Sequence, residues 1–163
     1  MKRLLQNIFS GWFRLSGWFP ATTLTRIRDV IAEGERHHAG EICFAVEARY
    51  SFLSVLNGLQ TRQRANQVFS MLRVWDTQDN SGVLLYLHLA ERRVELVADR
   101  GIAARVDTEQ WQSICAEFTK DIANGPADVA VLTCIAKINA LLSLHFPADN
   151  DNPQELSNDP MIL

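Results

Sequence analysis

The chain has 163 residues, 47% of them hydrophobic, which fits one globular domain able to bury a core without disulfides or a structural metal. Of its 19 acidic residues four, Asp149, Asp151, Glu155 and Asp159, lie in the last seventeen positions with no basic neighbour, which leaves 15 acidic against all 16 basic residues in 1–146. That near-balance, without blocks of like charge, argues against nucleic-acid binding, and three widely spaced cysteines, Cys43, Cys115 and Cys134, read as core thiols of a reducing compartment rather than a disulfide set or zinc site.

Residues 1–19 form an aromatic amphipathic segment. Phe9, Trp12, Phe13, Trp18 and Phe19 bring five of the fourteen aromatics into eleven residues. Gln6, Asn7, Ser10 and Arg14 interrupt the apolar core a signal peptide needs. Leu5, Ile8, Phe9, Trp12 and Leu15 share a helical face, which suits packing on the domain or on a second subunit. The alternative is peripheral membrane contact through residues 9–19. The expected location is cytoplasmic, with the inner-membrane surface as the variant of that reading.

From Pro20 a helix is expected, capped by Thr22 or Thr23 and ending near Gly40, with Leu24, Ile27, Ile31 and Gly34 on its inner face. Glu41 to Arg49 reads as the first strand. Residues 50–60 read as a loop or short helical excursion, and a second helix begins at Thr61, with Ala65, Val68, Phe69 and Leu72 facing inward. Val83 to Ala90 is apolar on both faces except for Tyr86 and His88, as in a strand covered on both sides. After a reversal at Glu91-Arg92-Arg93, Val94 and Leu96 alternate with polar neighbours as a second hairpin strand. Ile102 to Val106 is too short to assign and reads as a third hairpin strand or a linker. Asp107 caps a helix carrying Trp111, Ile114, Cys115, Phe118 and Ile122, and a last helix covers 127–146. Residues 127–146 are apolar, but Asp128, Lys137, Asn139 and His145 mark a mostly buried helix rather than a membrane span. Residues 147–163, rich in Asp and Asn, are expected to be a disordered acidic tail.

Strand, helix, strand is a right-handed crossover unit with parallel strands. The hairpin returns Asp99 to the edge where Asp79 and Asn80 begin the central strand, and the parallel pairing adds Glu41 to that edge. Together the four could supply oxygen ligands to a divalent cation, Ca²⁺ or Mg²⁺. The same residues also serve as ordinary turn formers. Cys43 and Arg49 match a Cys-x5-Arg spacing but lie about 20 Å apart in an extended strand, too far to share a phosphate. His37 and His38 read as a solvated helix terminus, and His88 as a hydrogen-bonded core histidine.

The stretches Glu41-Ile-Cys-Phe-Ala-Val-Glu, Asp79-Asn-Ser-Gly-Val-Leu-Leu-Tyr and Glu91-Arg-Arg-Val-Glu-Leu-Val-Ala-Asp-Arg-Gly-Ile resemble the TPM domain family. That family is named for a thylakoid lumen protein, a photosystem II repair protein and a modulator of an acetylcholine receptor. The likeness covers about residues 20–146, most strongly 75–112, and resembles a bacterial branch of unknown function. It implies a single three-layer α/β domain, a small mixed sheet with helices on both faces, in agreement with the order just read. It further implies a divalent-cation site in the loops that match Asp79-Asn80 and Asp99, and, through a plant member, acid phosphatase activity. Many relatives carry a signal peptide, a membrane span and a glycine-rich tail, none of which is read here. Two functions remain open: a non-catalytic binding or accessory domain with an unknown protein partner, near a membrane and with a bound cation, or a weak metal-dependent acid phosphatase.

Overall fold

The computed structural model describes residue 7, residues 11–148 and residues 152–163. Helix α1 (Gly11–Trp18) leads into α2 (Ala21–Glu35), and strand β1 (Glu41–Glu47) follows. A one-turn helix α3 (Phe52–Leu56) and helix α4 (Thr61–Met71) carry the chain to β2 (Gly82–His88) and β3 (Arg93–Ala98). The short α5 (Arg100–Ala103), then α6 (Thr108–Asn124) and α7 (Ala127–His145), complete the helices, and β4 (Met161–Ile162) ends the chain.

The sheet order is β3-β2-β1-β4. β1 and β2 run parallel, with Glu41 opposite Gly82 and Glu47 opposite His88, as a crossover unit demands. β2 and β3 are antiparallel. Every residue of β1 and β2 is buried, because period-2 alternation sends side chains into two separate cores. Ile42, Phe44, Val46, Val83, Leu85 and Leu87 meet α2, α6 and α7 on one face. Cys43, Ala45, Leu84, Tyr86 and Val97 meet Ala65 and Val68 of α4 on the other. The three-layer α/β reading therefore holds.

Local departures have local causes. Helix α2 ends at Glu35 rather than near Gly40, and its N-cap position is Pro20, with no side-chain cap from a threonine. The segment after Gly101 is neither strand nor linker: Asp99 accepts from the Arg100 backbone N–H and opens the helical turn α5. Asp107 does cap α6, in a reciprocal box with Gln110. α7 has the length and composition to cross a membrane, yet it buries Ala130, Val131, Cys134, Ile135, Ile138 and Leu142 against the domain's own α2 and α6.

Of the chain's two ends, the C-terminal one departs most from its reading. Leu15 and Phe19 are buried in the larger core, with the Phe19 ring 5.9 Å from that of Phe44, so this part of the aromatic segment packs on the domain. Of the aromatic face, Phe9 and the side chains of Trp12 and Phe13 lie outside the described residues. The expected disorder of residues 147–163 is not what residues 152–163 do; Asp149 to Asp151 lie outside the described residues. Asn152 donates to the carbonyls of Glu35 and His38, Leu156 donates through its backbone N–H to Glu41, and β4 pairs with Ala45 and Val46. Hydrogen bonds pin this strap, and only Leu156 and Leu163 pack against the smaller core, too sparse among Asp, Asn and Pro for a hydropathy reading to see.

Helices α2 and α7 approach closely at Gly34, where a Cβ would lie 2.1 Å from Asn139 Nδ2. Asn139 cannot yield freely, since it donates to Val30 O at 3.2 Å and its Oδ1 pairs with His38 Nε2 at 3.0 Å. Gly34→Ala is expected to destabilise the protein by about 2 kcal/mol or more through that overlap. An unchanged urea midpoint in equilibrium unfolding would refute the close approach.

Candidate functional site

A strand buried on both faces offers polar chemistry only at its ends, and both ends of the parallel pair are polar. At the amino end, Asn80 adopts a left-handed conformation (φ 53°), which Asn tolerates. The Gly101 N–H donates to Asn80 O at 3.1 Å. A Cβ on Gly101 would lie 2.4 Å from Asp79 O and 2.7 Å from Asn80 O, so only glycine lets these two turns touch. Arg100 Nε donates to Asn80 Oδ1 at 2.7 Å, and Asp99 Oδ1 accepts the Arg100 backbone N–H at 2.7 Å. Asp99 Oδ2 is shielded from solvent and has no hydrogen-bond partner among the described residues. Asp79 is exposed. The turns thus bring Asp79, Asn80 and Asp99 together.

Glu41 is held apart from them. It stands opposite Gly82, whose other neighbour is Asp99, so two strand spacings, about 10 Å, separate the two acidic residues. The Val74 backbone fills the space over Gly82, where a Cβ would lie 1.9 Å from Val74 O. Glu41 instead accepts the Leu156 N–H at 3.0 Å beneath the C-terminal strap. Among the described residues no group of three or more His, Cys, Asp or Glu is arranged to hold a metal ion. A cation at Asp79-Asn80 would have to use the free Asp99 oxygen, the Asp79 carboxylate and turn carbonyls. The Arg100 guanidinium would have to release Asn80 for its amide oxygen to join them. That set fits a hard cation as a shallow, weak site.

Sequence reasoning missed the partner that Glu41 does have. Glu35 accepts the Ile42 N–H at 2.7 Å and a Gln154 side-chain N–H at 3.3 Å, while Glu155 of the strap accepts the Gln78 N–H at 2.8 Å. Burial first, and the neighbouring Glu41 charge second, push the Glu35 carboxyl up to about 7, although the Ile42 N–H opposes the shift. Burial raises Glu41 as well. A pocket of about 470 Å³ lies over Glu35 and Glu41, lined also by Arg36, Asn152 and Gln154. Nothing in the helical spacing around Glu35 marks it, because the strap that encloses it belongs to a distant part of the chain.

At the carboxyl end, Glu47 is gripped by Arg64 through Nε at 2.8 Å and Nη2 at 3.0 Å, and it accepts the Tyr86 hydroxyl. The Tyr86 hydroxyl is pushed far up by burial and then by the Glu47 charge, so it stays a proton donor. The His88 ring is fully buried and stacks on Tyr50 at 3.8 Å, with its Nδ1 accepting the Glu91 N–H at 3.3 Å. This agrees with a hydrogen-bonded core histidine. A pocket of about 440 Å³ opens beside Glu47, Tyr50 and Arg64. Glu47 lies inside the stretch read as running to Arg49 and in fact ends the strand; its partner Arg64 required the tertiary fold.

His38 corrects the reading of a solvated histidine pair: it is fully buried and bound to Asn139, whereas His37 is exposed beside Glu33 at 3.8 Å. Burial raises the thiols of Cys43 and Cys115 to about 11 and that of Cys134 further, so all three stay protonated and inert. Cys115 is only half-buried.

Comparison with known proteins agrees with this architecture. A family model described as TPM domain matches residues 14–141, which begins inside the aromatic N-terminal segment and includes α1 in part. Among solved structures, the chain is similar to the BA42 protein from the psychrophilic bacterium Bizionia argentinensis, determined by NMR, with a TM-score of 0.77 and 24% identity. The alignment covers 87% of this chain and 93% of that one, and at this identity it speaks for the fold alone. The search of curated proteins returns no match.

The buried Glu35 makes stability depend on pH. Between the ordinary value of 4.5 and about 7 the folded state holds a proton that the unfolded state has lost. Stability from this group is therefore fully present below that window and falls as pH rises through it. Glu35→Gln, which mimics the protonated form, is expected to flatten the decline of Tm between those limits, leaving the contribution of Glu41. Parallel Tm curves for the two proteins would refute the assignment.

Proposed function

The chain belongs to the TPM domain family, and from that premise we propose that it acts as a non-catalytic binding or accessory domain whose Asp79–Asn80 turn and Asp99 hold a divalent cation. The observation that carries this reading is the shielded Asp99 Oδ2, an acceptor with no partner among the described residues, beside a turn whose carbonyls crowd Gly101. A buried carboxylate oxygen without a donor costs about 1–3 kcal/mol or more, and a hard cation would remove that cost. Calcium, with its tolerance of irregular oxygen shells and bound water, suits the set better than magnesium.

The non-catalytic part of the proposal rests on distance. Catalysis at this edge would need a base or nucleophile within hydrogen-bond reach of the cation. His88 and Glu47 stand at the opposite ends of their strands, about 20 Å away by strand rise, and the nearer carboxylates, Glu41 and Glu155, are engaged by the backbone N–H groups of Leu156 and Gln78. The neighbouring Arg100 is a cation and cannot serve as a base. Packing of Leu15 and Phe19 on the core supports a protein-facing role for the segment that precedes α2, in preference to a lipid-facing one.

Titration with Ca²⁺ and then Mg²⁺, followed by backbone amide NMR, tests the site. Localised shifts at Asp79–Gly82 and Asp99–Gly101 are expected, with a Kd of about 10⁻⁴–10⁻³ M as befits few charged ligands. Asp79→Ala should abolish them, and Arg100→Ala should tighten binding by removing a competing positive charge. Shifts that survive Asp79→Ala, or none at these residues, would refute the proposal.

A further inference from the structure

Trp111 of α6 is 9% exposed, yet its indole Nε1–H has no acceptor among the described residues. A donor buried without a partner costs about 1–3 kcal/mol. Trp111 lines a groove of about 540 Å³, the largest of the three pockets described here, together with Val94, Leu96, Ala98 and Val106. This groove lies on neither polar end of the strands but along β3.

β3 ends the sheet, with no strand on its far side among the described residues. The Asp99 N–H donates to Gly82 O at 2.8 Å, so in this antiparallel register the bonded pairs with β2 fall at odd positions, 93, 95, 97 and 99. The peptide groups of Val94, Leu96 and Ala98 therefore point outward, about 7 Å apart. Leu96 is already in use on both counts: Arg62 Nη1 donates to Leu96 O at 2.5 Å and the Cys115 sulfur accepts the Leu96 N–H, supplying the bonds that a neighbouring strand would make. The same guanidinium nitrogen lies 3.6 Å from Glu95, which gives it a second partner if it withdraws.

We propose that this groove takes an extended peptide segment of a partner protein, added as a further strand on the free edge of β3, with one of its backbone carbonyls accepting the Trp111 indole proton. The outward groups of Val94 and Ala98, two residues apart on either side of Leu96, are matched at strand spacing by another backbone, which would take over the Leu96 bonds from Arg62 and Cys115. A second copy of the chain is a poorer fit, because β3 is flanked by α4 and α6 on opposite faces and another sheet edge would bring its own helices into them. The apolar floor of Val94, Leu96, Ala98 and Val106 would take every second side chain of the segment. This names the partner for the binding-domain reading and rests on that part of it, independently of the cation.

The test uses the ¹⁵N-labelled full chain with a chelator present and a capped hexapeptide of alternating valine and threonine as the probe. The expected result is a downfield shift of the Trp111 indole resonance, identified by its absence in Trp111→Phe. Hydrogen exchange at the amides of Val94, Leu96 and Ala98 should slow by about tenfold or more at saturation. Ala98→Pro removes an outward N–H without touching the bonds to β2, and should weaken binding at least about tenfold. No shift at about 5 mM peptide, or shifts confined to other surfaces, overturns the proposal. So does concentration-dependent dimerisation that protects the same three amides without peptide. A cation response without peptide binding overturns this inference alone, and peptide binding without a cation response leaves it standing.

Discussion

Burial of the parallel pair β1–β2 on both faces is the constraint on which the rest of the molecule depends. Alternate side chains enter two cores, and each fully buried aliphatic or aromatic residue contributes roughly 1.5–3 kcal/mol against the conformational entropy of ordering the chain. A strand in that position can carry polar groups only where the cores stop. Glu41 and Glu47 stand at the two ends of β1, and His88 closes β2. Tyr86, deeper in, keeps its hydroxyl satisfied by reaching Glu47.

The two ends solve the cost of buried charge differently. Glu47 meets a guanidinium in bidentate geometry, and the pair keeps its charges while Tyr86 fills a remaining acceptor site. Glu35 and Glu41 meet no cation among their hydrogen-bond partners and receive neutral donors from β1 and the strap. Without a compensating charge, desolvation wins and both carboxyl groups move toward the neutral form. The strap is thus part of the domain, closing one edge of the sheet with β4 and covering a carboxylate pair that would otherwise face water.

The opposite sheet edge is guarded differently. Among the described residues no strand covers β3, and Arg62 lies over the Leu96 carbonyl instead. A charged side chain on an exposed edge discourages pairing with like edges while leaving the groove accessible to a single extended segment.

Hydrophobic periodicity and turn chemistry were enough to read α2, β1, α4, β2, β3, α6 and α7 in order, the parallel crossover and the hairpin that joins Asp79, Asn80 and Asp99, because those signals are local and repeat over several residues. The resemblance carried by the segments around Glu41, Asp79 and Glu91 extended that reading to the family. Local pattern could not decide what depended on contacts between distant residues. Gly82 and the Val74 backbone separate Glu41 from Asp99, the strap of residues 152–163 finds Glu35 and Glu41, His38 is buried by Asn139, and Arg64 finds Glu47. Sequence by itself determined which segments bury apolar faces, since burial follows composition and period. Only the tertiary structure decided which polar groups meet, since a hydrogen bond requires two partners within about 3 Å and no one-dimensional pattern records that distance.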